Sequence, residues 1–396
     1  MRIIWSLLAM LLLTINATAE PWERHTIDRS SIGADGVRLM DVNGDGLFDV
    51  ATGWEEGGVV RAYLNPGPKE SKAEWPSVTV GRVKNAEDAV FFDVDNDGAI
   101  DIVSCCEGKT KTIFVHWAPK DKTNYLDESA WKTEAFPVTA NKASWMFAMP
   151  MQMDGKGGVD LVVASKGKVG SGVVGWLEAP KNLRDSKAWK FHHLAQASWI
   201  MSLRKTDMDG DGDLDILASD RKGENSRVFW LENPNAVDKW KEHVIGAVGE
   251  QVMFLDIADL NGDGRREIVV PVPKRDFIIL SPPKDLREKW QERRISFPTR
   301  YGTSKAARIV DVDGDGKMDI VGTCEHADNE LSGVFWLSHS QSSTDKQWTD
   351  HDIGGPLGIK YDRIEMIDVD GDGDLDLMSC EERDQLGVFW YENPTK

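Results

Sequence analysis

One acidic motif recurs through the whole chain and restricts what it can fold into. The loops are DVNGDGLFD (Asp41 to Asp49), DVDNDGAID (Asp93 to Asp101), QMDGKGGVD (Gln152 to Asp160), DMDGDGDLD (Asp207 to Asp215), DLNGDGRRE (Asp259 to Glu267), DVDGDGKMD (Asp311 to Asp319) and DVDGDGDLD (Asp368 to Asp376). They start 52 to 59 residues apart. A period of this length marks an array in which each unit buries its apolar faces against its neighbours. Two further signatures keep the same period. A short segment opening with Trp precedes each loop, at Trp22, Trp75, Trp131, Trp189, Trp240, Trp290 and Trp348, and most loops are followed by an aromatic run such as VFWLENP or VFWYENP.

Runs flanking the loops, such as DILA, DIVG and GVFWL, are short and rich in Val, Ile and aromatics, which predicts strands of about five residues. Four fit in each unit. Seven four-stranded units predict an all-β, seven-bladed β-propeller of antiparallel blades. The W-x-x-H-x-I strand comes first in the chain, at Trp22 to Ile27, whereas the chain ends after GVFWY. The N-terminal strand is therefore expected to complete the last blade, closing the ring and removing an open sheet edge.

Sixty-six acidic against 47 basic side chains give a formal charge of −19. Nucleic acids and anionic membrane surfaces reward clustered Lys and Arg, so they are excluded as partners and cations are favoured. At the N-terminus, Arg2 precedes an apolar run from Ile3 to Leu13 and the small-x-small sequence Ala17-Thr18-Ala19. This predicts a secretory signal peptide over 1–19, a single propeller domain over 20–396, and a secreted or periplasmic location without a membrane span. A monomer is expected. Four cysteines, Cys105, Cys106, Cys324 and Cys380, do not form a disulfide framework; they are read as buried small hydrophobes, with one bridge between neighbouring strands as the alternative.

With its D-x-D-G-D-G-x-x-D loops in every unit, the chain resembles the FG-GAP, or VCBS, repeat family of calcium-binding propellers, over essentially all of residues 20–396. The last unit, KYDRIEMIDVDGDGDLDLMSCEERDQLGVFWYENP, is similar to those of secreted bacterial members. That family includes adhesion modules, sugar binders and enzyme domains, so the resemblance implies a fold rather than an activity.

Carboxylates at loop positions 1, 3, 5 and 9, with a backbone carbonyl at 7, offer the oxygen shell that Ca²⁺ prefers, and glycines at 4 and 6 let the chain wrap around it. The expected ligands are Asp41, Asn43, Asp45 and Asp49; Asp93, Asp95, Asp97 and Asp101; Asp207, Asp209, Asp211 and Asp215; Asp259, Asn261, Asp263 and Glu267; Asp311, Asp313, Asp315 and Asp319; and Asp368, Asp370, Asp372 and Asp376. An EF-hand would need a Glu at position 12 and flanking helices, whereas position 12 of the fourth loop is Ala218, inside a strand. The third loop has Gln152 at position 1 and Lys156 at position 5; the Lys156 ammonium is expected where an ion would sit, so this loop holds no metal and six calcium ions bind. Their twelve positive charges would bring the net charge from −19 to about −7.

In such blades the acidic loops lie on one face, while the connections between strands 2 and 3 and between blades lie on the other, where propellers bind ligands around the central channel. Three tryptophans outside the repeat signatures, Trp54, Trp145 and Trp199, map to that second face and are candidates for stacking on sugar rings, the alternative being packing between blades. Of the eight histidines, His25, His192, His243 and His351 hold the repeat position three after Trp and His116 sits in a third strand, which marks them as structural. His326, in a variable loop on the candidate face, is left with Tyr361, Lys305 and Arg363 nearby. There is no nucleophile elbow, zinc cluster or phosphate loop.

Two readings follow. The first is a secreted, calcium-stabilised module that binds a carbohydrate or an extracellular protein through the Trp-bearing face. The second is a polysaccharide lyase or sugar dehydratase, a carbon–oxygen lyase, because some polysaccharide lyases and an aldos-2-ulose dehydratase are similar calcium-containing propellers. Here His326 or Tyr361 would act as base, with Lys305 or Arg363 stabilising the enolate-like charge.

Overall fold

Strand-forming segments and turn-forming acidic loops alternate so regularly that the chain folds into seven four-stranded antiparallel sheets, each built from consecutive strands except one. The computed structural model describes residues 20–233 and 240–396; the segment read as a signal peptide lies outside the described residues. The innermost strands of the seven blades are Ala34–Met40, Ala86–Phe92, Ser144–Met151, Ile200–Thr206, Asp256–Ala258, Thr303–Val310 and Glu365–Ile367. The exceptional sheet takes its outer strand from the start of the chain: Glu23–Asp28 pairs with Gly387–Glu392, His25 opposite Trp390, as the phase of the repeats predicts.

The second strands, such as DVATGW (Asp49–Trp54) and DILASD (Asp215–Asp220), are buried throughout, because both of their faces pack on neighbouring blades. Blades approach closely enough that a Cβ on Gly53 would lie 2.4 Å from the Ala86 carbonyl of the next blade. Outer strands are tied to third strands by a repeated cross-strand pair. His192 stacks on Trp176 and bonds Glu178 (2.7 Å), and His243 stacks on Trp230 and bonds Glu232 (2.6 Å). His25 packs on Trp390 and bonds Glu392 (2.7 Å), and His351 stacks on Trp336 and bonds Ser338 (2.8 Å). These four histidines hold sheets together, as their repeat position implies. The cysteines are all free and buried.

His116 is fully enclosed between Ser104 (2.9 Å) and Thr133 (2.8 Å), and burial pushes its pKa down to about 3. The unfolded chain takes up a proton near pH 6.5 that the folded chain refuses until about pH 3, so this histidine's contribution is present above 6.5 and lost as the pH falls. Between those limits the wild type should lose about 1.4 kcal/mol more per pH unit than His116→Gln. Urea melts of both proteins at pH 7, 6, 5 and 4 measure the difference; parallel slopes would rule this out.

Candidate functional site

In the acidic loops the side chains first organise their own backbone. Asp41 at position 1 accepts the N–H groups of Gly44 (2.7 Å) and Gly46 (2.9 Å), whose φ angles of 84° and 87° require glycine. Asn43 accepts from Asp45 N–H (2.9 Å), and Asp45 from Leu47 N–H (2.8 Å). Asp207, Asp259 and Asp368 repeat the position-1 bonds in their loops. Position 9 is a clasp between strands: the two oxygens of Asp101 accept Val94 N–H (3.1 Å) and Ala118 N–H (2.7 Å), and those of Asp376 accept Val369 N–H (2.8 Å) and Asn393 N–H (2.9 Å).

These loops fit a hard cation. The donors are all oxygen, and the buried Oδ1 atoms of Asp209 and Asp311 have no hydrogen-bond partner. Burial first, then the neighbouring loop carboxylates, push Asp101, Asp319 and Asp376 up to about 7, the mutual repulsion that a cation relieves. The third loop is built differently. Gln152 donates its side-chain amide to the carbonyl of Gly158 (2.9 Å), the position-7 oxygen that in the other loops is expected to face an ion. Lys156 does not enter the loop, contrary to expectation: its side chain is 78% exposed and its ammonium lies 3.4 Å from Asp154. A short amide already satisfies the inner carbonyl, so the long ammonium stays in water. Basic side chains from an adjacent blade also reach outer oxygens of the loops: Arg184 bonds Asp95 and Asp97, and Arg287 bonds Asp209 (2.7 Å).

On the opposite face, the start of the inner strands and the end of the second strands converge on a cavity of about 290 Å³ at the channel mouth. Its wall carries seven carboxylates, Asp35, Glu55, Glu87, Glu107, Glu325, Asp362 and Glu382, against four cations, Lys166, Arg221, Lys305 and Lys360, with Trp199 and His326 beside them. Glu325 is a hub: Arg221 lies 3.4 Å away, Lys305 3.6 Å and His326 3.9 Å. Lys305 is also 3.8 Å from Asp362, while Lys166 pairs with Glu107 and Lys360 with Glu382. Burial first, then Glu87, Glu382 and Asp362, hold the Asp35 carboxyl well above the usual range. Burial also raises Glu87 to about 7, opposed by Lys166.

The structure brings Lys305, His326 and Trp199 to this mouth and keeps the other candidates out. Tyr361 is fully buried, its hydroxyl donating to the Leu357 carbonyl (2.5 Å) with the Tyr391 hydroxyl 3.1 Å away, so it cannot serve as a base. Arg363 is only 8% exposed and packs over Phe147 and Phe254 inside the channel. Near it the channel is filled by further ion pairs, Arg38 with Asp88 (2.7 Å), Arg204 with Asp256 (2.9 Å) and Arg308 with Glu365 (2.9 Å). Trp54 and Trp145 are buried at 0% and 2% exposure, the first donating to Tyr63 (2.9 Å) and the second to the Thr139 carbonyl (3.0 Å), so neither meets a ligand. Trp199 has cations rather than open space on its ring: Lys166 at 4.6 Å, Arg221 at 4.8 Å and Lys222 at 5.4 Å.

Comparisons with known proteins agree with this architecture. The FG-GAP-like repeat model matches residues 41–104, 207–270 and 311–379. Among solved structures, BBS1N in complex with ARL6DN, from a crystal soaked with lead, superposes with a TM-score of 0.55 at 10% identity, covering 95% of this chain and 98% of that one. The same complex soaked with mercury gives 0.55 at 11% identity, covering 94% and 97%. At these identities the likeness is one of fold. No curated protein matches the chain in sequence.

Proposed function

The chain belongs to the FG-GAP-like repeat family, and from that premise we propose that it is a calcium-stabilised, extracytoplasmic binding module that holds a carbohydrate or a protein segment in its channel mouth. The observation that carries this reading is the convergence of seven carboxylates and four Lys or Arg cations from six blades on one cavity, on the face away from the loops that serve the scaffold. Six loops would hold calcium through the carboxylates at positions 1, 3, 5 and 9; the ion's part is to neutralise charge and tie each loop shut. The mouth has three more carboxylates than cations. That balance favours hydroxyl-rich neutral sugars or Lys- and Arg-bearing peptides over anionic polysaccharides. Because Trp199 is flanked by cations, recognition rests on hydrogen bonds and charge rather than on sugar stacking. Support for a protein partner comes from BBS1N, a propeller of similar shape whose structure is that of a complex with ARL6DN.

One geometric observation favours the alternative, β-elimination on a sugar: Lys305 lies within 4 Å of both Glu325 and Asp362, beside His326, which sets a cation next to several bases. In that reading Glu325 or His326 takes the proton and Lys305 stabilises the developing negative charge.

A panel of neutral and charged glycans and basic peptides, screened with calcium-loaded protein, tests both. Binding that weakens by at least about tenfold in Glu325→Gln and Lys305→Met, but not in Tyr361→Phe, is the expected result. Binding indifferent to both mouth variants would overturn the site. A rise in ultraviolet absorbance from an unsaturated sugar product would establish the lyase instead.

A further inference from the structure

Asp35 stands apart from the other charged groups of the mouth. It is 7% exposed and lines the cavity, and its side chain makes no hydrogen bond or ion pair among the described residues. Lys360, whose charge reaches it, is taken by Glu382, and Lys305 lies between Glu325 and Asp362. A buried carboxylate without a partner is costly, and the cost grows when other carboxylates surround it. Asp35 is surrounded: one oxygen each of Asp35, Glu55 and Glu87 lie within 4.8 Å of one another, and the same holds for Asp35, Asp362 and Glu382. Three atoms so spaced can all be reached by one ion at about 2.8 Å or less, close to the 2.3–2.6 Å of calcium–oxygen bonds. Among the described residues Glu55 likewise has no side-chain partner, and Glu87 pairs only with Lys166, at 3.8 Å.

We propose that the channel mouth binds a hard divalent cation on Asp35, Glu55 and Glu87, a site distinct from the acidic loops and on the opposite face. The donor set holds no nitrogen or sulfur, which selects the calcium, magnesium and manganese class over zinc or copper. Asp362 and Glu382 complete the negative wall on the other side of Asp35. The cavity leaves room beyond the ion for water or for ligand hydroxyls, which the open positions of such a cation accept readily. The inference rests on the mouth being the binding site, to which it adds the chemistry of the first contact.

Calcium itself is the probe. Full-length wild type and Asp35→Asn are stripped with chelator, re-equilibrated with calcium, and the bound metal is counted by inductively coupled plasma mass spectrometry beside circular dichroism. The variant is expected to keep the β-sheet spectrum and to hold one equivalent less than the wild type. Equal counts would overturn the site and leave shared protons as the means of relieving repulsion. Should Asp35→Asn fail to fold, Glu55→Gln decides in the same way: one equivalent lost supports the site and none lost overturns it. The count needs no organic ligand. A missing equivalent with a silent glycan and peptide panel therefore refutes the binding reading alone, whereas panel binding with equal counts refutes the cation alone.

Discussion

Stripping calcium from the protein should lower its melting temperature by on the order of 20 °C. Twenty-two carboxylates stand at positions 1, 3, 5 and 9 of the six loops expected to hold ions, within a chain of net charge −19. Each ion that binds the folded chain alone contributes about 2.7 kcal/mol when calcium stands at a hundred times its dissociation constant, so six independent sites contribute about 16 kcal/mol. At this chain length each kcal/mol moves the midpoint by roughly 1.5 °C. In the loops of Asp49, Asp101, Asp215 and Asp376 the position-9 carboxylate links the loop to the strand beyond, so losing ions also loosens the connections between strands. Calorimetry in millimolar calcium and in excess chelator gives the shift directly. Coincident melts would mean that the loops hold themselves together through their own N–H bonds and that calcium is not their ligand.

The second large effect separates the two duties of position 9. Asp160 accepts Met153 N–H (2.8 Å) and Ala179 N–H (2.8 Å) in the loop expected to lack metal, and Asp101 makes the same clasp in a loop expected to bind it. Hydrogen bonds to a charged group contribute about 1.5–3 kcal/mol each, so Asp160→Ala should cost about 3–6 kcal/mol in calcium and in chelator alike. Asp101→Ala should cost a similar amount in chelator and distinctly more in calcium, where an ion is lost as well. Denaturant melts of both variants under both conditions decide the matter. A calcium-dependent cost for Asp160→Ala would show that the third loop does bind metal.

The ring was legible because its cause is periodic: the acidic loop, the Trp-opened outer strand and, in most blades, the aromatic third strand return at one spacing, and a residue's role recurs wherever its register recurs. The stacking of His192 on Trp176 and of His243 on Trp230 shows this directly. The mouth was legible only in part. His326 and Trp199 were found because they depart from the repeat and Lys305 because the topology places it near His326, but several of the carboxylates around them sit at an ordinary-looking place, at or just past the end of a second strand, as in GWEE, SCCEG and GTCEH. In a hairpin such a residue is normally solvated; here the curvature of the ring turns Glu55, Glu107 and Glu325 toward the axis. Subtraction failed for Trp54 and Trp145 because an indole outside the signature can still find a strand-end pocket between blades. It failed for Tyr361 because no pattern in sequence reveals that a hydroxyl is already held by Leu357 and Tyr391. Lys156 misled because charge was weighed before reach, whereas Gln152 needs only to bond a carbonyl six residues on.

Closure of the last blade by Glu23–Asp28 gives the molecule a history as well as a shape. His25 and Glu392, bonded at 2.7 Å, are 367 residues apart in sequence, so pairing Glu23–Asp28 with Gly387–Glu392 closes a loop that spans nearly the whole described chain. Contacts of that separation are slow to form, and until they do the seventh blade presents an open third strand, Gly387–Glu392, to whatever passes. The Glu23–Asp28 strand of another copy would meet the same partners on that edge, but the chain's own strand is tethered to it and holds the advantage of a high effective concentration. Strand exchange between copies should therefore compete with ring closure only when protein concentration during folding approaches that effective value, which size-exclusion chromatography after refolding at rising concentration would show.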